Sequence, residues 1–223
     1  MDLQANKEKV FNEVLAASLA AGRSQDTVKI IAVTKYVDSE IAKKLIATGV
    51  THIAENRVDK FLDKYHTLAG QGITWHLIGT LQRRKVKEVI NYVDYFHALD
   101  SVKLAEEIDK RAEHVVKCFL QVNISGEESK HGFAVEELDE VLKLMKTFKH
   151  IRLVGLMTMA PIDATEQELN EIFKQTQELQ QTLQKKQIEN MPFSELSMGM
   201  SRDFAQAIAH GATFVRIGTA FFK

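Results

Sequence analysis

The sequence predicts a single (β/α)8 barrel, and three observations carry that prediction. Eight short apolar runs recur along the 223 residues, helical patterns separate them, and no Pro/Gly/Ser-rich linker divides the chain. Short runs alternating with helices point to parallel β/α units. An open doubly wound sheet is the other architecture such units build. Eight repeats favour the barrel, at the short end of its usual range of about 250 residues.

The strand-like runs are KIIAVTK (29–35), HIAENR (52–57), TWHLIG (74–79), YFHALD (95–100), VVKCFLQVNIS (115–125), IRLVGLMTMA (151–160), ELSMGMS (195–201) and TFVRIGTAFF (213–222). Between them, segments such as SEIAKKLIATG and VEELDEVLKLMKTF carry apolar residues at helical spacing, as at Leu138, Val141, Leu142 and Met145. Asp38 and Ser101 stand where helices start, Gly49 and Gly211 where they stop. No helical pattern follows the last run. A helix around residues 5–21 is therefore expected to take the eighth place in the outer ring. One domain over residues 1–223 is expected.

Composition narrows the function classes. With 45% hydrophobic and 26% charged residues, the chain suits one full core. A formal net charge of -1 argues against a nucleic-acid binder that lives on a general positive field. The single cysteine, Cys118, reads as packing and leaves a reducing compartment as the default. No apolar stretch is long enough to span a membrane, and MDLQANKEKVFNEVLAA lacks the apolar centre of a signal peptide. A cytoplasmic protein is expected, without nucleic-acid or membrane partners, and nothing in the chain demands more than a monomer. The eight histidines show no metal spacing, and no Walker or Rossmann glycine fingerprint occurs.

In such a barrel, chemistry gathers at the C-terminal strand ends. These positions hold Lys35, Glu55 with Asn56, Gly79, Asp100, Asn123 with Ser125, Thr158, Ser201, and Gly218 with Thr219. One amine stands among amides, hydroxyls and glycines. A lysine desolvated at a strand end has its charged form disfavoured, which frees the neutral amine to attack an aldehyde. The same position also suits a lysine snorkelling to solvent, and position alone does not separate the two. Ser201, Gly218 and Thr219 lie at the ends of the last two strands, where barrels frequently bind phosphate; Ser201 also suits the role of cap for the following helix. An amine on strand 1 beside a phosphate cradle matches an aldehyde-bearing phosphate ester, for which pyridoxal phosphate (PLP) is the candidate cofactor.

The motifs AVTK (32–35), GVTHIAENRV (49–58), WHLIGTLQ (75–82), QVNIS (121–125), SKHGF (129–133), GLMTM (155–159), LSMGMSRDFAQAI (196–208) and VRIGTA (215–220) resemble, in number and order, the pyridoxal phosphate homeostasis protein (YggS/PROSC) family. That family's fold is similar to the N-terminal barrel of alanine racemase. The resemblance implies Lys35 as the Schiff-base lysine, Ser201, Gly218 and Thr219 on the phosphate, Asn56 beside the ring and Arg216 facing the pyridine nitrogen. It implies a non-enzymatic carrier that buffers the cofactor and hands it to apo PLP enzymes. A PLP-dependent amino-acid racemase is the runner-up, and a class I aldolase using the same lysine stands third. A racemase needs a second proton carrier opposite the lysine. Of Tyr36, Tyr65, Tyr92 and Tyr95, only Tyr36 is near a strand end.

Two departures stand out. Arg84 occupies the position where many relatives have asparagine, within LQRRK (81–85), and the chain stops at FFK without the tail relatives often carry. The remaining signals read blandly. His76 suits either ligand contact or strand packing. Lys130, beside His131, is a second amine on the loop after strand 5. The stretch 165–187 reads as a solvated outer helix.

Overall fold

The computed structural model describes residues 1–126 and 131–223; Lys130, the second candidate amine, lies outside the described residues. Eight parallel strands close into a barrel in sequence order. They are β1 (Lys29–Val33), β2 (His52–Glu55), β3 (Thr74–Leu77), β4 (Tyr95–Leu99), β5 (Val116–Gln121), β6 (Ile151–Met157), β7 (Glu195–Met200) and β8 (Phe214–Ile217). The outer ring comprises α1 (Leu3–Ala20), α2 (Ser39–Ile46), α3 (Val58–Leu68), α4 (Arg83–Val89), α5 (Val102–Arg111), α6 (Leu138–Met145), α7 (Glu166–Lys185) and α8 (Phe204–Ala209).

Closure rests on β8 pairing with β1, where Ile31 aligns with Arg216 and Ala32 with Ile217. The expected runs begin within a residue of the observed strands but continue past their ends. The last run shows why: Phe221 is fully buried, yet it lies in a 3-10 turn over Thr219–Phe221. Apolar character reports burial, not backbone conformation.

Helix α1 takes the vacant place in the ring, packed between α8 and α2. Asp2 caps it by accepting from the Ala5 N–H, and Val10, Val14 and Ser18 form its buried face. Asn6 Nδ2 locks it to the chain end by donating to the carbonyls of Phe221 (3.0 Å) and Lys223 (2.8 Å). Asp38 and Ser101 cap α2 and α5 through the N–H groups of Ile41 and Leu104. Beyond the end of α2, Gly49 turns the chain at φ +96°, a left-handed conformation that suits glycine.

The barrel interior is aromatic. Phe214 on β8 meets Tyr95 on β4 at 5.3 Å and Phe119 on β5 at 5.6 Å between ring centroids. These strands lie on opposite sides of the barrel, so only side chains filling its axis can touch. Cys118 is fully buried and burial pushes its thiol pKa up, in keeping with packing. Among the described residues no helix is long and apolar enough to cross a membrane.

Candidate functional site

Lys35 lies two residues beyond β1, in a turn, and is solvent-exposed. The desolvation expected of it is therefore not supplied by the fold, because the chain leaves the barrel wall at Thr34. Its Nζ stands 4.8 Å from the Tyr36 ring centroid. The residue before it is held hard. Thr34 is fully buried; its Oγ1 donates to Glu55 Oε1 at 2.7 Å, and its carbonyl accepts from Lys64 Nζ at 3.0 Å and from the Val37 N–H at 3.1 Å. Lys64 in turn pairs with Glu55, both buried. Glu55 Oε2 has no hydrogen-bond partner among the described residues. An exposed amine thus rides on a turn anchored from below by a buried ion pair.

Sequence reasoning placed Glu55 at a strand end but missed Lys64. The signal was there: Lys64 sits three residues after Phe61 and four before Leu68, the other buried residues of α3. A lysine on an apolar helix stripe calls for an acid, and Glu55 is the acid in the neighbouring apolar strand.

Asn56 follows β2 and is exposed. The loops after β2 and β3 pack so closely that a Cβ on Gly79 would fall 2.0 Å from the Asn56 carbonyl oxygen. Only glycine tolerates that approach, which fixes the course of both loops at the mouth.

Arg216 points inward with Phe214, two residues before it on β8, and is buried rather than in a surface ion pair. Its Nη1 donates to Ser197 Oγ at 2.7 Å and its Nη2 to the Thr158 carbonyl at 3.1 Å. Desolvation lowers its pKa to about 10, opposed by the charge of Asp203. The guanidinium stays charged at neutral pH. Gly218 follows β8, and its N–H donates to Ser201 Oγ at 3.4 Å. Ser201 is not the cap of α8; Asp203 occupies that position and accepts from the Met200 N–H. Thr219 is exposed beside Gly218. Lys35, Asn56, Ser201, Arg216, Gly218 and Thr219 therefore come from β7, β8, β1 and β2 or the turns after them, four adjacent strands along one arc of the mouth.

The rim is basic. Arg83 and Arg84 are exposed in the first turn of α4, which follows β3 at this mouth, and Arg202 is exposed after β7. Cations at a helix N-terminus oppose its dipole, so α4 gains no stability from them. His131 is exposed, 3.6 Å from the Asp100 carboxylate. His76 is fully buried within the barrel, bonded to His52 and His97, which decides for packing over ligand contact. Among the described residues no group of His, Cys, Asp and Glu is arranged to hold a metal.

The family model described as "Alanine racemase, N-terminal domain" matches residues 17–223, which defines the class of this barrel. A pyridoxal phosphate homeostasis protein of Aquifex aeolicus is 37% identical over 217 residues, 96% of this chain and 94% of that relative. The chain belongs to the pyridoxal phosphate homeostasis protein family. A crystal structure of an unknown protein from Bifidobacterium adolescentis matches with TM-score 0.93 and 33% identity, covering 99% of this chain and 94% of that one. PipY of Synechococcus elongatus PCC7942, solved with PLP bound, matches with TM-score 0.83 and 34% identity, covering 94% of this chain and all (100%) of that one.

Proposed function

We propose that this protein binds pyridoxal phosphate through Lys35 and serves as a non-enzymatic carrier that buffers the cofactor and delivers it to apo PLP enzymes. One observation carries the reading: an exposed primary amine on the β1 turn stands at one mouth with hydroxyl and amide donors after β7 and β8 and with a buried, charged guanidinium. That donor set suits a phosphorylated aldehyde with a ring nitrogen, as PipY's bound PLP and the names of the relatives also argue.

Bound PLP supplies an aldehyde that condenses reversibly with an amine and releases water. Lys35 offers that amine without being buried, so the site loads and unloads from solvent. Ser201, Gly218 and Thr219 would hold the phosphate, the Gly218 N–H exchanging its 3.4 Å contact with Ser201 Oγ for a phosphate oxygen, and Asn56 would border the ring. Arg216 has donors and no acceptor, so a ring nitrogen facing it would receive a hydrogen bond and not a proton. The basic rim draws the anionic cofactor inward.

Phosphate affinity is expected to depend on β7 and β8. Ser201→Ala with Thr219→Val removes two hydroxyl donors to a dianion, each worth about 1.5–3 kcal/mol. Titration should show weakened PLP binding with little change for unphosphorylated pyridoxal. Equal losses for both ligands would place the phosphate elsewhere.

Racemase chemistry requires a proton carrier opposite the lysine. Tyr36 neighbours Lys35, Tyr95 packs in the barrel axis, and Tyr65 and Tyr92 pack together near the start of β3. None stands across the mouth from Lys35. Incubating PLP-loaded protein with L-alanine or L-serine in deuterated water should give neither Cα deuterium nor D-enantiomer. Turnover of about 1 per second or faster, ordinary for an enzyme, would favour the racemase. The same loaded protein should restore activity to an apo PLP enzyme, and Lys35→Ala protein should not.

A further inference from the structure

Behind Arg216, a column of hydrogen bonds runs through the barrel towards its opposite mouth. Arg216 Nη1 donates to Ser197 Oγ at 2.7 Å. Ser197 Oγ meets His97 Nδ1 at 2.8 Å, His97 Nε2 meets His76 Nδ1 at 2.9 Å, and His76 Nε2 meets His52 Nδ1 at 2.9 Å. Five strands contribute: β8, β7, β4, β3 and β2. Ser197, His97 and His76 are fully buried, and His52 is half-buried at the first residue of β2.

The guanidinium sets the direction of every bond. It can only donate, so Ser197 Oγ accepts from it, and the single Ser197 O–H satisfies His97 Nδ1. His97 then carries its proton on Nε2 and gives it to His76 Nδ1, and His76 does the same to His52. Reversing the column would leave the Ser197 O–H without an acceptor in a dry interior, at a cost that buried polar groups avoid. Burial holds His76 and His97 well below the ordinary histidine range, keeping both imidazoles neutral as the column requires.

We propose that Ser197, His97, His76 and His52 are positioning residues that hold the Arg216 guanidinium, by a one-way column of neutral imidazoles, as a fixed donor to the ring nitrogen of the bound cofactor. Ser197 and the Thr158 carbonyl together take one N–H from each terminal nitrogen, which fixes the guanidinium plane. The inference rests on the reading of Arg216 as the ring-facing residue. It adds that the contact is built from the far side of the barrel.

The test compares PLP with its analogue carrying carbon in place of the ring nitrogen. Wild-type protein should bind PLP about tenfold tighter than the analogue, the size of one charge-assisted hydrogen bond. His97→Leu breaks the column and should bring that ratio close to one, while His97→Gln, whose amide both accepts and donates, should retain most of it. A ratio undiminished in His97→Leu, with both ligands weakened alike, would show that the column only fills space. A wild-type ratio of one would instead overturn the ring-facing reading of Arg216, and the column's role with it. A second measurement needs no variant. Nitrogen-15 spectra of histidine-labelled protein should show His52, His76 and His97 neutral and protonated on Nε2 at pH 7.5. A proton on His97 Nδ1 would reverse the column and refute the proposal.

Discussion

Lys35→Ala protein is expected to lose the visible absorbance band and the borohydride-reducible adduct entirely, while staying folded. The side chain is exposed and makes no ion pair among the described residues, so its removal should change stability by less than about 0.5 kcal/mol. Lys64, the lysine buried next to the same turn, cannot substitute, because its Nζ is committed to Glu55 and the Thr34 carbonyl. Non-covalent binding through Ser201, Thr219 and Gly218 should persist, weakened. Reduction followed by peptide mapping decides the matter. An adduct of undiminished yield in the variant, mapped to Lys130 or any other lysine, would remove Lys35 from the assignment.

The largest stability effect should come from Lys64→Met. Removing one partner of a buried pair leaves the other charge uncompensated, at a cost of about 3–5 kcal/mol. For a chain of this size that corresponds to a fall in Tm of roughly 10 °C. Without Lys64 the Glu55 carboxylate keeps only the Thr34 hydroxyl, on Oε1, while Oε2 has no partner among the described residues, so its charge stays uncompensated. Replacing both residues, Lys64→Met with Glu55→Leu, removes the stranded charge and should recover much of the stability. Thermal and urea unfolding of the two proteins would test this. A double variant no more stable than the single one would mean that the pair acts through packing rather than charge. The turn offers a second readout, since Thr34 loses a carbonyl partner and the adduct at Lys35 should form more slowly.

Much of this molecule was legible from residue order alone. The alternation of apolar runs with amphipathic segments determined eight parallel strands and the ring around them, because burial periodicity is a local property of the chain. Asp38, Ser101, Gly49 and Gly211 marked helix ends for equally local reasons of capping and left-handed backbone. Lys35, Ser201, Gly218 and Thr219 stand out as candidates because strand order determines which loops share a mouth. Only the tertiary structure decided that Lys35 stands exposed, that Ser201 is not a cap, and that the Lys64–Glu55 pair pins the turn. It alone revealed the column from Arg216 to His52. Those features join residues far apart in sequence, 100 positions in the case of His97 and Ser197 and 30 for Lys64 and Thr34. A hydrogen bond between two inward-facing side chains leaves no period in the sequence. Its existence depends on which strands the barrel sets side by side and on the exclusion of water from its axis, and both arise only when the barrel closes.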